Sequence, residues 1–188
     1  MARDRYLRRS VADSYNWGVE PLRLRPMTAA EFTAFRDRIS PAYAADKVRA
    51  GEWAEDQAEA LAAKQTAELL PEGADTPGML LLTADDSTGP PVGLIWVALD
   101  RPRPGEAWIY YIEINPEQRG KGHGRALLQA AEQQAAAHGA TWIGLNVFGG
   151  NAVARNLYES SGYQMTEINM RKELSATSTV EGPGRVTK

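Results

Sequence analysis

One stretch constrains this chain more than any other. Ala107-Trp108-Ile109-Tyr110-Tyr111-Ile112-Glu113-Ile114 is aromatic and β-branched, as a strand is, and Asn115-Pro116 ends it. Glycines then alternate with charged and aromatic residues in Arg119-Gly120-Lys121-Gly122-His123-Gly124. From Arg125 to His138, Leu127, Leu128, Ala131 and Ala135 recur at helical spacing, and Gly139 stands where a helix C-cap would. The first turn of such a helix has unpaired N–H groups and the positive end of the helix dipole. Glycines let a ligand approach the backbone closely. Arg119, Lys121 and Arg125 add positive charge. The segment suits a phosphate or pyrophosphate. Spacing removes two well-known phosphate loops. A P-loop would need glycine at Asn115 and a hydroxyl at Gly122. A dinucleotide fingerprint counted from Gly120 would need glycine at Arg125. A glycine turn that only caps a helix stays open as an alternative.

The rest of the chain punctuates clearly. Leu22-Arg23-Leu24-Arg25 alternates as a short strand and Pro26 stops it. Thr28 and Glu31 form a capping box for a helix reaching about Lys47. A second helix is expected from Glu52 to Leu70. Met79–Thr83 and Val92–Val97 flank Gly89-Pro90-Pro91 and predict a hairpin. After the glycine-loop helix come a strand over Thr141–Val147, a helix over Asn151–Ser161 and a final strand or hairpin over Tyr163–Leu174. The order βααβββ, then αβαβ, predicts a mixed α/β (α+β) domain over residues 21–174. Residues 1–20 read as a charged arm, and 175–188 as a disordered tail.

Composition excludes several classes. A net charge of -3 argues against a nucleic-acid partner. The absence of cysteine removes disulfides, thiolate metal sites and a cysteine nucleophile. Two histidines, His123 and His138, with no calcium-loop pattern predict no metal. No apolar run follows the N-terminal arginines, and none approaches membrane-helix length. A cytoplasmic protein with no membrane partner is expected.

The glycine loop resembles the R/Q-x-x-G-x-G/A signature of the GNAT (Gcn5-related N-acetyltransferase) superfamily at every specified position. Asn151-Ala152-Val153-Ala154-Arg155-Asn156-Leu157-Tyr158-Glu159-Ser160-Ser161-Gly162-Tyr163 resembles the family's N-x-x-A-x-x-L-Y-x-x-x-G-F/Y. The resemblance covers roughly residues 22–174. It implies a mostly antiparallel twisted sheet of six to seven strands with about four helices, splayed between strands four and five.

It also implies acetyl-CoA as co-substrate and an amine as acceptor. By similarity, Ile112, Glu113 and Ile114 bond the pantetheine arm through their backbone. Arg119, Gly120, Lys121, Gly122, His123 and Gly124 hold the pyrophosphate, beside Arg125. Asn151 is similar to a cofactor-contacting asparagine, and asparagine equally suits a helix cap. Tyr158 resembles the family's general acid. A phenol near pKa 10 can protonate a thiolate near 8.5. The related ribosomal-protein alanine acetyltransferases carry a glutamate on strand five where Asn146 stands, and Asn146 cannot serve as a base, though it can orient water. Glu113 is the nearest carboxylate on strand four for a base, with a solvated strand residue as the alternative. Phe32, Phe35, Tyr43, Trp53 and nearby acids occupy the region where the family selects acceptors.

Three functions compete at this point: an N-acetyltransferase using direct transfer, a non-catalytic acyl-CoA-binding regulatory module, and a nucleotide-phosphate binder. The aromatic strands and the arm leave room for a homodimer.

Overall fold

The computed structural model describes residues 21–87 and 89–172. The expected arm (residues 1–20) and tail (175–188) lie outside them. Five strands, β1 (Arg23–Pro26), β2 (Met79–Asp85), β3 (Gly93–Leu99), β4 (Glu106–Ile114) and β5 (Trp142–Leu145), form one sheet in that order. Neighbours run antiparallel except β4 and β5, which are parallel. The helices are α1 (Ala29–Arg49), α2 (Glu55–Leu69), α3 (His123–Ala137) and α4 (Ala152–Ser160). No helix among the described residues is long and apolar enough to cross a membrane.

Each face of the sheet has its own core. Ile95, Val97, Ala107 and Ile109 meet Leu127, Leu128, Ala131 and Ala135 of α3 and Tyr158 of α4. Leu127 and Leu128 are fully buried, and each burial stabilises the fold by about 1.5–3 kcal/mol. On the other face Leu81, Trp96 and Ala98 meet Phe35 and Ile39 of α1. Helix α2 packs on α1 through Ala58 and Ala62 against Ala44. Trp96 is buried and Trp142 is 75% exposed.

The expected strand over Tyr163–Leu174 does not form: residues 163–172 hold no regular structure, and 173–174 lie outside the described set. Ile168 and Met170 are exposed. An extended segment gains little stability without a ladder partner, and β5 offers four residues of edge. The sheet therefore has five described strands rather than six or seven, within the expected α/β class.

The start of α1 is tied to the sheet edge by charge. Thr28 and Glu31 make the capping box: Glu31 N–H donates to Thr28 Oγ1 at 3.3 Å and Thr28 N–H to Glu31 Oε2 at 2.8 Å. Arg25 on β1 donates through Nη1 and Nη2 to both Glu31 oxygens, each at 2.8 Å, and through Nε to Asp85 at 2.7 Å. The Arg25 guanidinium, with help from Thr28, holds the Glu31 carboxyl down at about 2, from an ordinary 4.5. A depressed carboxyl stabilises the fold once the unfolded carboxyl is ionised, above about pH 4.5. That contribution fades as pH falls toward about 2. After allowance for solvent screening it amounts to about 1 kcal/mol. Urea unfolding at pH 7 is expected to find Glu31→Gln less stable than the parent by about that amount, with the gap narrowing at pH 3.

Candidate functional site

The sheet comes apart on one side. β4 and β5 pair from Glu106–Trp142 to Ile109–Leu145 and no further. The last rungs are clamped by Trp108, whose ring lies on Gly144; a Cβ there would fall 2.8 Å from Trp108 Cζ3. Beyond this point β4 continues to Ile114, still paired with β3 but with its other edge uncovered by β5. This is the splay that the resemblance implies between strands four and five.

A β-bulge sits where the strands part. Trp96 faces Tyr111 and Val97 faces Ile109, which leaves Tyr110 as the extra residue. One extra residue exchanges the faces of everything after it. Ala107 and Ile109 point to the α3 side, and past the bulge Ile112 and Ile114 do so too. Tyr110 and Tyr111 pack on the α1 side. Glu113 joins them there, away from Ile112 and Ile114.

Backbone groups follow the same alternation. Asn115 N–H donates to Val92 C=O at 2.9 Å, toward β3. Two residues back, Glu113 has the same backbone direction, so Ile112 and Ile114 aim N–H and C=O at the open edge. Arg119 Nε donates to Ile114 C=O at 2.9 Å on that edge. Asn115 Nδ2 ties the strand end to Pro91 C=O at 2.5 Å.

The loop turns directly from this edge into α3. Gly120 has φ +75° and Gly122, the N-cap, φ +86°, values that L side chains rarely adopt. Gly124 serves by closeness: a Cβ there would stand 3.3 Å from Leu157 Cδ2 and 3.9 Å from Ile114 Cγ1. The end of β4, the first turn of α3 and the middle of α4 therefore meet at Gly124. Among the described residues, no backbone carbonyl accepts from the N–H groups of Gly120 to Gly124. His123 Nδ1 is buried without a hydrogen-bond partner there. Lys121 Nζ donates to Gln118 at 2.9 Å, and Arg125 Nη2 to Ser160 at 2.9 Å.

Open donors at a helix start, cationic side chains and an unpaired strand edge together fit a long phosphate-bearing, amide-containing ligand. The family model for acetyltransferases of the GNAT type matches residues 36–163. The chain belongs to the acetyltransferase (GNAT) family. Bacillus subtilis YycN, named as an uncharacterized N-acetyltransferase, is 35% identical over 152 residues, 80% of this chain and 97% of that protein. The crystal structure of YycN aligns with TM-score 0.78 at 34% identity, covering 82% of this chain and 99% of that one. A mycothiol acetyltransferase of Beutenbergia cavernae is 38% identical over 93 residues, 50% of this chain but 31% of that protein. AAC(6')-Iy, solved with a CoA-linked bisubstrate analogue, shares the fold at TM-score 0.55 and 13% identity, covering 84% of this chain and all of that one.

In this acetyltransferase the remaining site residues divide between the two faces. Tyr158 is 8% exposed on the α3 side, its ring 5.7 Å from that of Tyr163. Burial raises its phenol pKa. Tyr163 Oη is itself buried with no hydrogen bond of good geometry, although the Glu132 carboxyl stands near it. Asn151 caps α4, its Oδ1 accepting from Ala154 N–H at 3.0 Å. On the α1 side Glu113 Oε2 receives Arg38 Nη2 at 2.8 Å and Tyr111 Oη at 3.2 Å; Arg119 Nη2 stands 3.9 Å from Oε1. Arg38 escaped the sequence analysis, because an arginine on an exposed helix face carries no signal until the fold sets it beside Glu113.

Gly122→Ala is expected to lose about 1–2 kcal/mol in urea unfolding, because alanine is strained at that φ. Gly149→Ala, with open space at its Cβ and no left-handed φ, is expected to lose nothing.

Proposed function

We propose that the chain transfers the acetyl group of acetyl-CoA directly to a primary amine of a small molecule or peptide. The observation that carries this is the continuity of the open β4 edge with the open N–H groups at the start of α3. Ile112 N–H and C=O offer the pairing that a pantetheine amide needs, as a missing strand would. The N–H groups from Gly120 to Gly124 would hold the pyrophosphate, with Lys121 and Arg125 adding charge. Arg119 keeps its Ile114 contact and closes the loop onto the strand.

When bound, acetyl-CoA supplies an activated thioester; the chain supplies orientation and proton handling. Ile114 N–H, on the open edge, would stabilise an oxyanion. Tyr158 gives a proton to the departing sulfur. Its buried phenol stays protonated at neutral pH, and the same dry surroundings raise the basicity of a thiolate, so transfer stays close to balanced. Glu113 attracts the ammonium of the acceptor on the α1 side and takes its proton. With no cysteine in the chain, no thiol acyl-enzyme forms, which favours direct attack.

Thiol release from acetyl-CoA, followed across a panel of amines and N-terminal peptides, tests this. Tyr158→Phe is expected to lower kcat by about 10²-fold or more while the KM for acetyl-CoA stays near the parent value. An undiminished kcat would assign proton donation elsewhere.

A further inference from the structure

Ile112 and Ile114 face the α3 side of the strand gap and are partly buried. Leu127, Leu128 and Ala131 are fully buried there, and Tyr158 nearly so. On the α1 side Tyr110, Tyr111 and Glu113 are only half-buried, and the Arg38 side chain is 51% exposed. An acceptor that reaches the open edge of β4 from this side passes Arg38 and Glu113 first.

Resting on the acetyl-transfer reading above, we propose that the acceptor is zwitterionic: an amine with a carboxylate close by, as in a free α-amino acid, whose ammonium Glu113 takes and whose carboxylate Arg38 takes. A plain alkylammonium would meet the Arg38 guanidinium at the same Glu113 oxygen it seeks, 2.8 Å away. That juxtaposition of like charges disfavours it. A carboxylate on the acceptor removes the conflict and pairs with the planar guanidinium in two-point fashion.

The Arg38–Glu113 pair resembles the complement it would bind: one cation and one anion, side by side, at the edge of solvent. Its Arg38 end is half exposed, where water already weakens the attraction, and Tyr111 still donates to Glu113 when Arg38 turns to a ligand. Arg25 makes a useful contrast. Its guanidinium is engaged from both sides by Glu31 and Asp85 and serves the fold. Arg38 has a single ion pair among the described residues. Tyr111 supports the arrangement from beneath. Burial and the neighbouring Glu113 push its phenol up to about 12, so it remains a donor to Glu113 at any working pH. The Phe35 ring, 5.6 Å from that of Tyr111, fixes its position. Arg119 belongs to the loop side of Glu113, where the proposed phosphate balances its charge.

Thiol release from acetyl-CoA is measured with three matched acceptors sharing one side chain: the amino acid, its amide and the decarboxylated amine. The parent protein is expected to show kcat/KM at least about tenfold higher for the amino acid than for the other two. Arg38→Gln is expected to abolish the preference for the amino acid, lowering its kcat/KM while that of the amide and the amine, which no longer meet the guanidinium, rises. Arg38→Lys is expected to recover part of the preference. The ratio is decisive, because a general structural loss would lower all three acceptors together. Equal turnover of the three by the parent, an equal fall of all three in Arg38→Gln, or turnover of the amine without the amino acid would overturn the zwitterion assignment and leave acetyl transfer standing. Absence of thiol release with every amine and peptide would overturn the acetyl-transfer reading itself, and this inference with it.

Discussion

The parting of β4 from β5 is the event on which the rest of the molecule depends. A parallel pair that continued past Ile109 and Leu145 would consume the backbone groups of Ile112 and Ile114 in ordinary ladder bonds. Pairing stops there instead, with the Trp108 ring seated on Gly144 at the final rungs. The bulge at Tyr110 then redirects the strand. It sends two isoleucines into the α3 core and brings Tyr111 and Glu113 to the α1 side. One irregular residue thus decides which side chains pack toward α3 and which toward α1.

The exposed edge is costly to maintain, and the surrounding contacts hold it in place. Gly93 permits the β3 backbone to lie against β4, where a Cβ would fall 2.3 Å from Glu113 C=O. Asn115 fastens the strand end by backbone and side chain to Val92 and Pro91. Gly124 lets Leu157 and Ile114 converge on the first turn of α3. The site is accordingly built on packed elements, which suits a group that must be held within fractions of an ångström. The loop glycines divide the labour: Gly120 and Gly122 for backbone conformation, Gly124 for proximity.

Much of this was legible in the sequence. The capping box at Thr28, the hairpin around Gly89-Pro90-Pro91 and the strand–glycine–helix passage carry local signals, and the fold places them as read. Two features were not legible, for different reasons. Alternation in Tyr110-Tyr111-Ile112-Glu113-Ile114 gives Glu113 the face opposite to the isoleucines, but a bulge is a property of two strands, and only the register with β3 says which face belongs to which helix. Arg38 pairs with Glu113 across the fold, and no local pattern announces such a contact. The final strand failed for a related reason: polar–apolar alternation near Ile168 and Met170 states a preference that a ladder partner must realise.

The central claim is that the open β4 edge and the start of α3 form one continuous surface for acetyl-CoA. Amide chemical shifts and hydrogen exchange, recorded by NMR with and without acetyl-CoA, test it residue by residue. Ile112, Ile114 and Gly120 to Gly124 should shift and gain protection. Asn115, whose N–H already binds Val92, should gain far less. Protection confined to the loop, with Ile112 and Ile114 unmoved, or an identical response to ATP, would contradict the account.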